Sequence, residues 1–78
     1  MRRTFHDEKL REWEAYVSGG QPSTEAAARI LFLCLTEPRE RARVVPHDSR
    51  DVAAAERDLH VLGDRELLDL LRQARPLD

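Results

Sequence analysis

The 78-residue sequence lacks the features that mark several large classes of protein. Cys34 is its only cysteine, so no disulfide can form within the chain, and a reducing compartment is favoured. Its longest apolar run, residues 30–35, is far shorter than the roughly 20 residues of a membrane span. The formal net charge of −2 provides no general excess of positive charge for nucleic acid or an anionic membrane. We therefore expect a cytoplasmic protein that contacts no membrane.

Lysine and asparagine are also scarce. Twelve arginines stand against one lysine, and asparagine is missing altogether, a bias that favours a GC-rich bacterial genome. Residues 1–7 contain two arginines but no apolar stretch behind them, so we expect no secretory signal.

No pattern of catalytic or metal-binding residues stands out in this short chain. Residues 1–78 are expected to form one domain, which is too small to spare core volume for an enclosed substrate cavity. Zinc sites in small proteins use closely spaced ligand pairs, and Cys34, His6, His47 and His60 show no such spacing. The sequence therefore predicts no catalytic site, cofactor or metal.

The C-terminal third, residues 48–75, shows the periodicity of two amphipathic helices. The first helix is predicted to follow the capping candidates Asp48 and Ser49 and to end at Gly63 in a left-handed conformation. Asp64 is predicted to cap the second helix. The apolar stripes consist of Val52, Ala55, Leu59 and Leu62 in the first helix and Leu67, Leu70, Leu71 and Ala74 in the second.

The first 45 residues are open to two interpretations. Helix formers are abundant in residues 7–14, and their propensity favours an all-α bundle. Trp13, Ala15 and Val17 instead alternate with charged or polar neighbours, which is typical of a half-buried strand.

The apolar run at residues 30–35 favours the strand interpretation. As a helix it would be apolar on every side, and so small a domain cannot bury all of them. Residues 41–45 are then its hairpin partner, with the turn at residues 36–40. We predict an α+β fold in which a small antiparallel sheet of three or four strands, made of two hairpins in residues 1–45, precedes the two helices.

The beginning of the chain contains a Phe-x-Asp turn followed by Arg-x-Trp, here Phe5, Asp7, Arg11 and Trp13. In this it resembles short uncharacterised bacterial proteins that combine two hairpins with a Leu-rich C-terminal helix. The chain departs from their pattern at Leu10, which stands where they have a turn glycine. The resemblance implies the same α+β fold and no particular function.

Two short helices can cover one face of the predicted sheet, so the other face is left open. We expect the helices to contact Trp13, Ala15, Val17, Ala42 and Val44. An apolar stripe with a charged rim on the open face is typical of a surface that binds a protein partner or forms a homodimer. The residues predicted to form this interface are Tyr16, Leu31, Leu33, Leu35, Arg43 and Val45.

These features favour a small non-enzymatic protein-interaction or regulatory module. The alternative is a nucleic-acid-binding accessory protein, because arginine is well suited to phosphate and four arginines lie close together in the chain. This basic cluster consists of Arg39, Arg41, Arg43 and Arg50.

Overall fold

In a computed structural model, which describes residues 2–19, 28–47 and 51–77, the chain forms an antiparallel sheet and two helices. The strands lie side by side in chain order: β1 (Arg2–His6), β2 (Glu12–Ser18), β3 (Arg29–Cys34), β4 (Arg43–Pro46) and β5 (Arg75–Pro76). The helices, α1 (Val52–Val61) and α2 (Asp64–Gln73), follow β4 and pack on one face of the sheet. The predicted α+β fold is confirmed, and the all-α alternative is wrong.

The sheet has five strands, whereas three or four were predicted. After α2 the chain returns to the sheet, where Arg75 lies opposite Val44 and Pro76 lies opposite Arg43. A two-residue strand is too short to show alternation, and from sequence Pro76 indicates only the end of a helix. The pairing therefore depends on where α2 places the chain in space.

The hydrophobic core fills the layer between the sheet and the helices. Trp13 on β2 and Phe32 on β3 are fully buried there, which confirms the predicted burial of Trp13. The ring of Phe5 meets that of Phe32 edge to face, with centroids 6.0 Å apart. The buried members of this core are Phe5, Trp13, Ala15, Ile30, Phe32, Leu59, Leu67 and Leu71.

The first helix begins later than its sequence pattern suggests. Asp51 caps α1, and its side chain accepts a hydrogen bond from the backbone N–H of Ala53 at 3.0 Å. The predicted caps, Asp48 and Ser49, lie outside the described residues. Two aspartates and one serine precede the apolar stripe, and periodicity alone does not select one of them as the cap.

The corner between the helices is built differently from the prediction. Leu62 ends α1 in an extended conformation, so no left-handed residue is needed, and Gly63 has an ordinary φ of −76°. Gly63 is the N-cap of α2, the position predicted for Asp64. Its N–H donates to the Glu66 carboxylate at 3.0 Å, which satisfies a backbone donor before the helix starts.

A tight turn joins β1 to β2 and contains the one non-glycine residue with a positive φ among the described residues. The N–H of Leu10 donates to the carbonyl of Asp7, and the N–H of Asp7 donates to the carbonyl of Arg11, both at 3.0 Å. Leu10 has a φ of 62°. Three-residue hairpin loops place a left-handed residue at this point, and glycine is the residue that adopts it without steric cost.

Replacing Leu10 with glycine is expected to stabilise the domain. The left-handed conformation costs a non-glycine residue about 1–2 kcal/mol, and the extra freedom of glycine in the unfolded chain offsets about 0.4–1 kcal/mol of the gain. No packing is lost, because Leu10 is 80% exposed. We expect thermal unfolding to show a Tm about 4 °C higher for Leu10→Gly. Leu10→Ala is the control, since it removes the exposed side chain but keeps the β-carbon; an equal rise in this variant would contradict the strain argument.

Candidate functional site

The face of the sheet opposite the helices, here called the outer face, follows from the strand register. Residues directly opposite each other in a sheet point to the same side, and positions two apart along a strand do so as well. The core residues point toward the helices, so the intervening residues form the outer face. One row across the sheet consists of Arg2, Tyr16, Leu31, Val44 and Arg75.

The next row extends this face toward the chain's second hairpin turn. Thr4 lies opposite Glu14, and Glu14 lies opposite Leu33. Beyond β4 and β5 the ladder continues, because the N–H of Leu77 donates to the carbonyl of Ala42 at 2.8 Å. Because side chains alternate between the two faces along a strand, Ala42 and Leu77 both lie on the outer face. The predicted contact of Ala42 with the helices is therefore wrong.

Leu35 also belongs to the outer face. Its N–H donates to the carbonyl of Glu12 at 2.8 Å and continues the pairing of β2 with β3. The structure therefore brings together four of the six predicted interface residues: Tyr16, Leu31, Leu33 and Leu35.

The other two predicted interface residues, Arg43 and Val45, lie on the opposite side. Val45 pairs with Ile30 and packs against the core. The Arg43 guanidinium lies 5.2 Å from the centre of the Trp13 ring, in the layer between sheet and helices. The assignment of both residues to the interface is wrong, as is that of Val44 to the helix-facing side. The second hairpin turn shifts β4 by one position, and a one-residue shift exchanges the two faces of a strand.

The apolar part of the outer face lies mainly on and directly after β3 and on β4, with one member on β2 and one directly after β5. We call it the outer stripe. Leu31 is only 7% exposed, whereas Leu35 and Leu77 are 46% and 41% exposed. The outer stripe consists of Tyr16, Leu31, Leu33, Leu35, Val44 and Leu77.

Charged side chains border the outer stripe on both sides. On the β2 side, Glu14 accepts a hydrogen bond from Arg2 at 2.5 Å, and the Arg2 guanidinium lies 5.2 Å from the centre of the Tyr16 ring. On the β5 side, the exposed Arg75 forms no ion pair with a described residue. Glu12, near His6, adds a second carboxylate to the β2 side. The β2 side of the stripe thus carries an arginine–carboxylate ion pair and a second carboxylate, and the β5 side carries an arginine.

A polar network around Asp7 lies at the end of the first hairpin, close to the core. One Asp7 oxygen accepts the backbone N–H groups of Lys9 and Arg11, both at 2.9 Å. The other accepts the Arg11 Nε at 2.7 Å and the Trp13 Nε1 at 2.9 Å. A single carboxylate therefore fixes both the turn and the orientation of the tryptophan.

The same contacts change the acidity of Asp7. Burial of the carboxyl raises its pKa, but hydrogen bonds from Trp13, Arg11 and Lys9 favour the charged form more strongly and lower the pKa from 3.8 to about 2. Sequence analysis did not identify this network. The spacing of Asp7, Arg11 and Trp13 is the sequence signal that could have identified it.

A cleft of about 370 Å³ opens between the end of β4 and the helices. At its mouth the His47 Nε2 lies 2.9 Å from an Asp58 carboxylate oxygen. Its described lining includes no serine, threonine or cysteine that such a pair would activate: Ile30, Val45, Pro46, His47, Asp58, Leu59, Val61, Leu62 and Leu70. The described part of the chain also contains no group of three histidine, cysteine or acidic side chains able to hold a metal ion.

The basic cluster is not a single exposed surface. Arg39 and Arg41 are exposed, but Arg43 is half-buried and pairs with Glu40 at 3.2 Å. Arg50 lies outside the described residues. Arg43 is thus engaged in contacts within the domain.

No family model, curated protein or solved structure matches this chain. Within the described residues, no helix is both long enough and apolar enough to cross a membrane. The outer stripe, defined by register and exposure, is therefore the strongest candidate for a functional surface.

Proposed function

We propose that this protein is a small non-enzymatic interaction module that binds a folded protein surface through the outer stripe. The observation that carries this proposal is the apolar patch with charged flanks on the sheet face opposite the helices. Both helices pack on the other face, where the core lies. A sheet that bears apolar side chains on both faces is usually covered on both.

The exposed leucines supply a driving force for binding. Leu35 and Leu77 are nearly half exposed, and covering each of them completely contributes about 1 kcal/mol. The charged flanks would select the orientation of the partner more than they add to affinity. A flat surface of this kind suits a protein partner better than a small substrate, which binds in a concave site.

Neighbouring residues on opposite faces of β3 provide the test. Phe32 is fully buried in the core, whereas Leu33 lies on the outer face. We expect Phe32→Glu to unfold the domain, because it buries an unpaired charge, and Leu33→Glu to fold but lose binding. Thr4→Glu is the matched control, since Thr4 is exposed on the polar side of the same face.

The measurements are thermal unfolding of the purified variants and affinity capture from chemically fixed host cells, with identification by mass spectrometry. The proposal is supported if at least one identified protein, which can be a second copy of this chain, is captured by the wild type and by Thr4→Glu. The Leu33→Glu variant must fail to capture that protein while it remains folded. The proposal fails if the wild type retains none, or if Leu33→Glu retains the same proteins as the wild type.

A further inference from the structure

We infer that the partner of the outer stripe is an acidic protein surface that places carboxylates against Arg29 and Arg75. The inference rests on the function proposed above and names the chemistry of the partner. It follows from the position of these two arginines on the outer face, where neither forms an ion pair with an acidic side chain of the described chain.

The strand register places both arginines on the outer face. Arg29 directly precedes the buried Ile30 on β3, so its exposed side chain points away from the helices. Arg75 on β5 is also exposed, and it lies opposite Val44, which in turn lies opposite Leu31. Since Leu31 is two residues from Arg29 on the same strand, both arginines border the part of the stripe formed by Leu31 and Val44.

The spacing of the two arginines suits two carboxylates of one partner. They lie two strands apart and are offset by two residues, because Pro46 lies opposite Arg29 and Val44 lies opposite Arg75. With strands about 4.8 Å apart and about 3.4 Å per residue, their α-carbons are roughly 12 Å from each other. Each guanidinium can bind a carboxylate through two parallel hydrogen bonds. Two acidic residues about one or two helical turns apart on the partner therefore match the pair.

The other charged groups of the outer face are engaged within the chain. Arg2 donates a hydrogen bond to Glu14 at 2.5 Å, and the His6 ring lies 3.9 Å from a Glu12 carboxylate oxygen. The β1 and β2 side of the face therefore has a carboxylate beside each basic group. Positive charge without such a neighbour is confined to β3 and β5, where carboxylates of a partner are attracted most strongly.

Nucleic acid is a poorer match for the same two arginines. Its phosphates repeat along each strand, so a segment that crosses the sheet also passes the carboxylates of Glu12 and Glu14. It also leaves the exposed Leu35 and Leu77 without apolar partners. A protein surface can place a few carboxylates over the arginines and cover the leucines with apolar side chains.

Charge reversal of each arginine tests the inference. The partner in this experiment is the purified protein identified by its Leu33-dependent capture. We expect Arg29→Glu and Arg75→Glu each to bind it about tenfold more weakly at low salt, by isothermal titration calorimetry. The difference from the wild type should shrink at about 0.5 M salt, because salt screens exposed charges. Thermal unfolding verifies that both variants remain folded.

Arg57→Glu is the matched control. Arg57 is exposed on α1, which packs on the other face of the sheet, so its reversal makes the same change in net charge away from the outer face. We expect this variant to bind the partner as the wild type does. In the reciprocal experiment, a partner carboxylate is replaced by arginine. This change should restore binding to one of the two arginine variants, which altered stability of the domain cannot produce.

Four results would overturn the inference. They are unchanged binding by both arginine variants, an equal loss in Arg57→Glu, capture of this chain itself as the partner, and binding of a single-stranded oligothymidylate that both arginine variants abolish. In each case, Leu33-dependent capture still supports the proposed function. If the wild type captures no protein through Leu33, the proposed function fails, and this inference fails with it.

Discussion

Trp13→Ala is expected to leave the domain only marginally stable at room temperature. The Trp13 side chain is fully buried at the centre of the core, between the sheet and both helices. The guanidinium groups of Arg11 and Arg43 lie 5.5 and 5.2 Å from the centre of its ring. Truncation of a large buried aromatic costs about 3–5 kcal/mol, which approaches the whole free energy of unfolding of a domain this small.

Trp13→Phe is the matched control for this experiment. It keeps an aromatic ring in the core but loses the N–H that donates to Asp7, so we expect an intermediate loss of stability. Urea unfolding followed by circular dichroism measures all three proteins. A Trp13→Ala variant that unfolds at nearly the same urea concentration as the wild type would contradict the burial of this side chain in the core.

Acidification from about pH 4 to pH 2 is expected to destabilise the domain through Asp7. The pKa of its carboxyl is about 2 in the folded state and 3.8 in the unfolded state, so the unfolded chain binds a proton first as the pH falls. The contribution of Asp7 to the free energy of unfolding is therefore complete above about pH 4 and is lost as the pH falls through 2. Asp7→Asn removes this dependence and also loses stability at neutral pH, because an amide accepts fewer of the four hydrogen bonds.

Asp69→Asn is the control for the acid experiment. Asp69 is an exposed carboxylate that contacts Arg72, and its removal should leave the acid-dependent loss near that of the wild type. The measurement is the free energy of unfolding in urea at pH 2, 3, 4 and 6. If the free energy of unfolding of Asp7→Asn falls between pH 4 and pH 2 as much as that of the wild type, the acid-dependent loss of stability does not come from Asp7.

The central strands were predictable because their burial follows a simple period. On β2, Trp13 and Ala15 are fully buried between half-buried neighbours, so alternation identified the correct face. On β4 the adjacent Val44 and Val45 carry no alternation, and the face that each occupies depends on the geometry of the preceding turn. The α+β fold was therefore predictable, whereas the orientation of β4 was not.

The candidate surface was predictable to the same extent. Leu31, Leu33 and Leu35 lie on one side because they are two apart in a strand. Leu77 joins them only because the chain returns to the sheet after α2, a tertiary contact with no local signal. The hairpin at Leu10 forms despite the missing glycine, since the hydrogen bonds of Asp7 to Lys9 and Arg11 hold the turn closed.

The two-residue strand β5 also determines how copies of this protein can aggregate. Open sheet edges are templates for strands of other chains, and proteins avoid fibre growth by blunting them. Here the edge beyond β4 is short, and Pro76 has no backbone N–H to donate. A neighbouring chain finds no continuous ladder on that side.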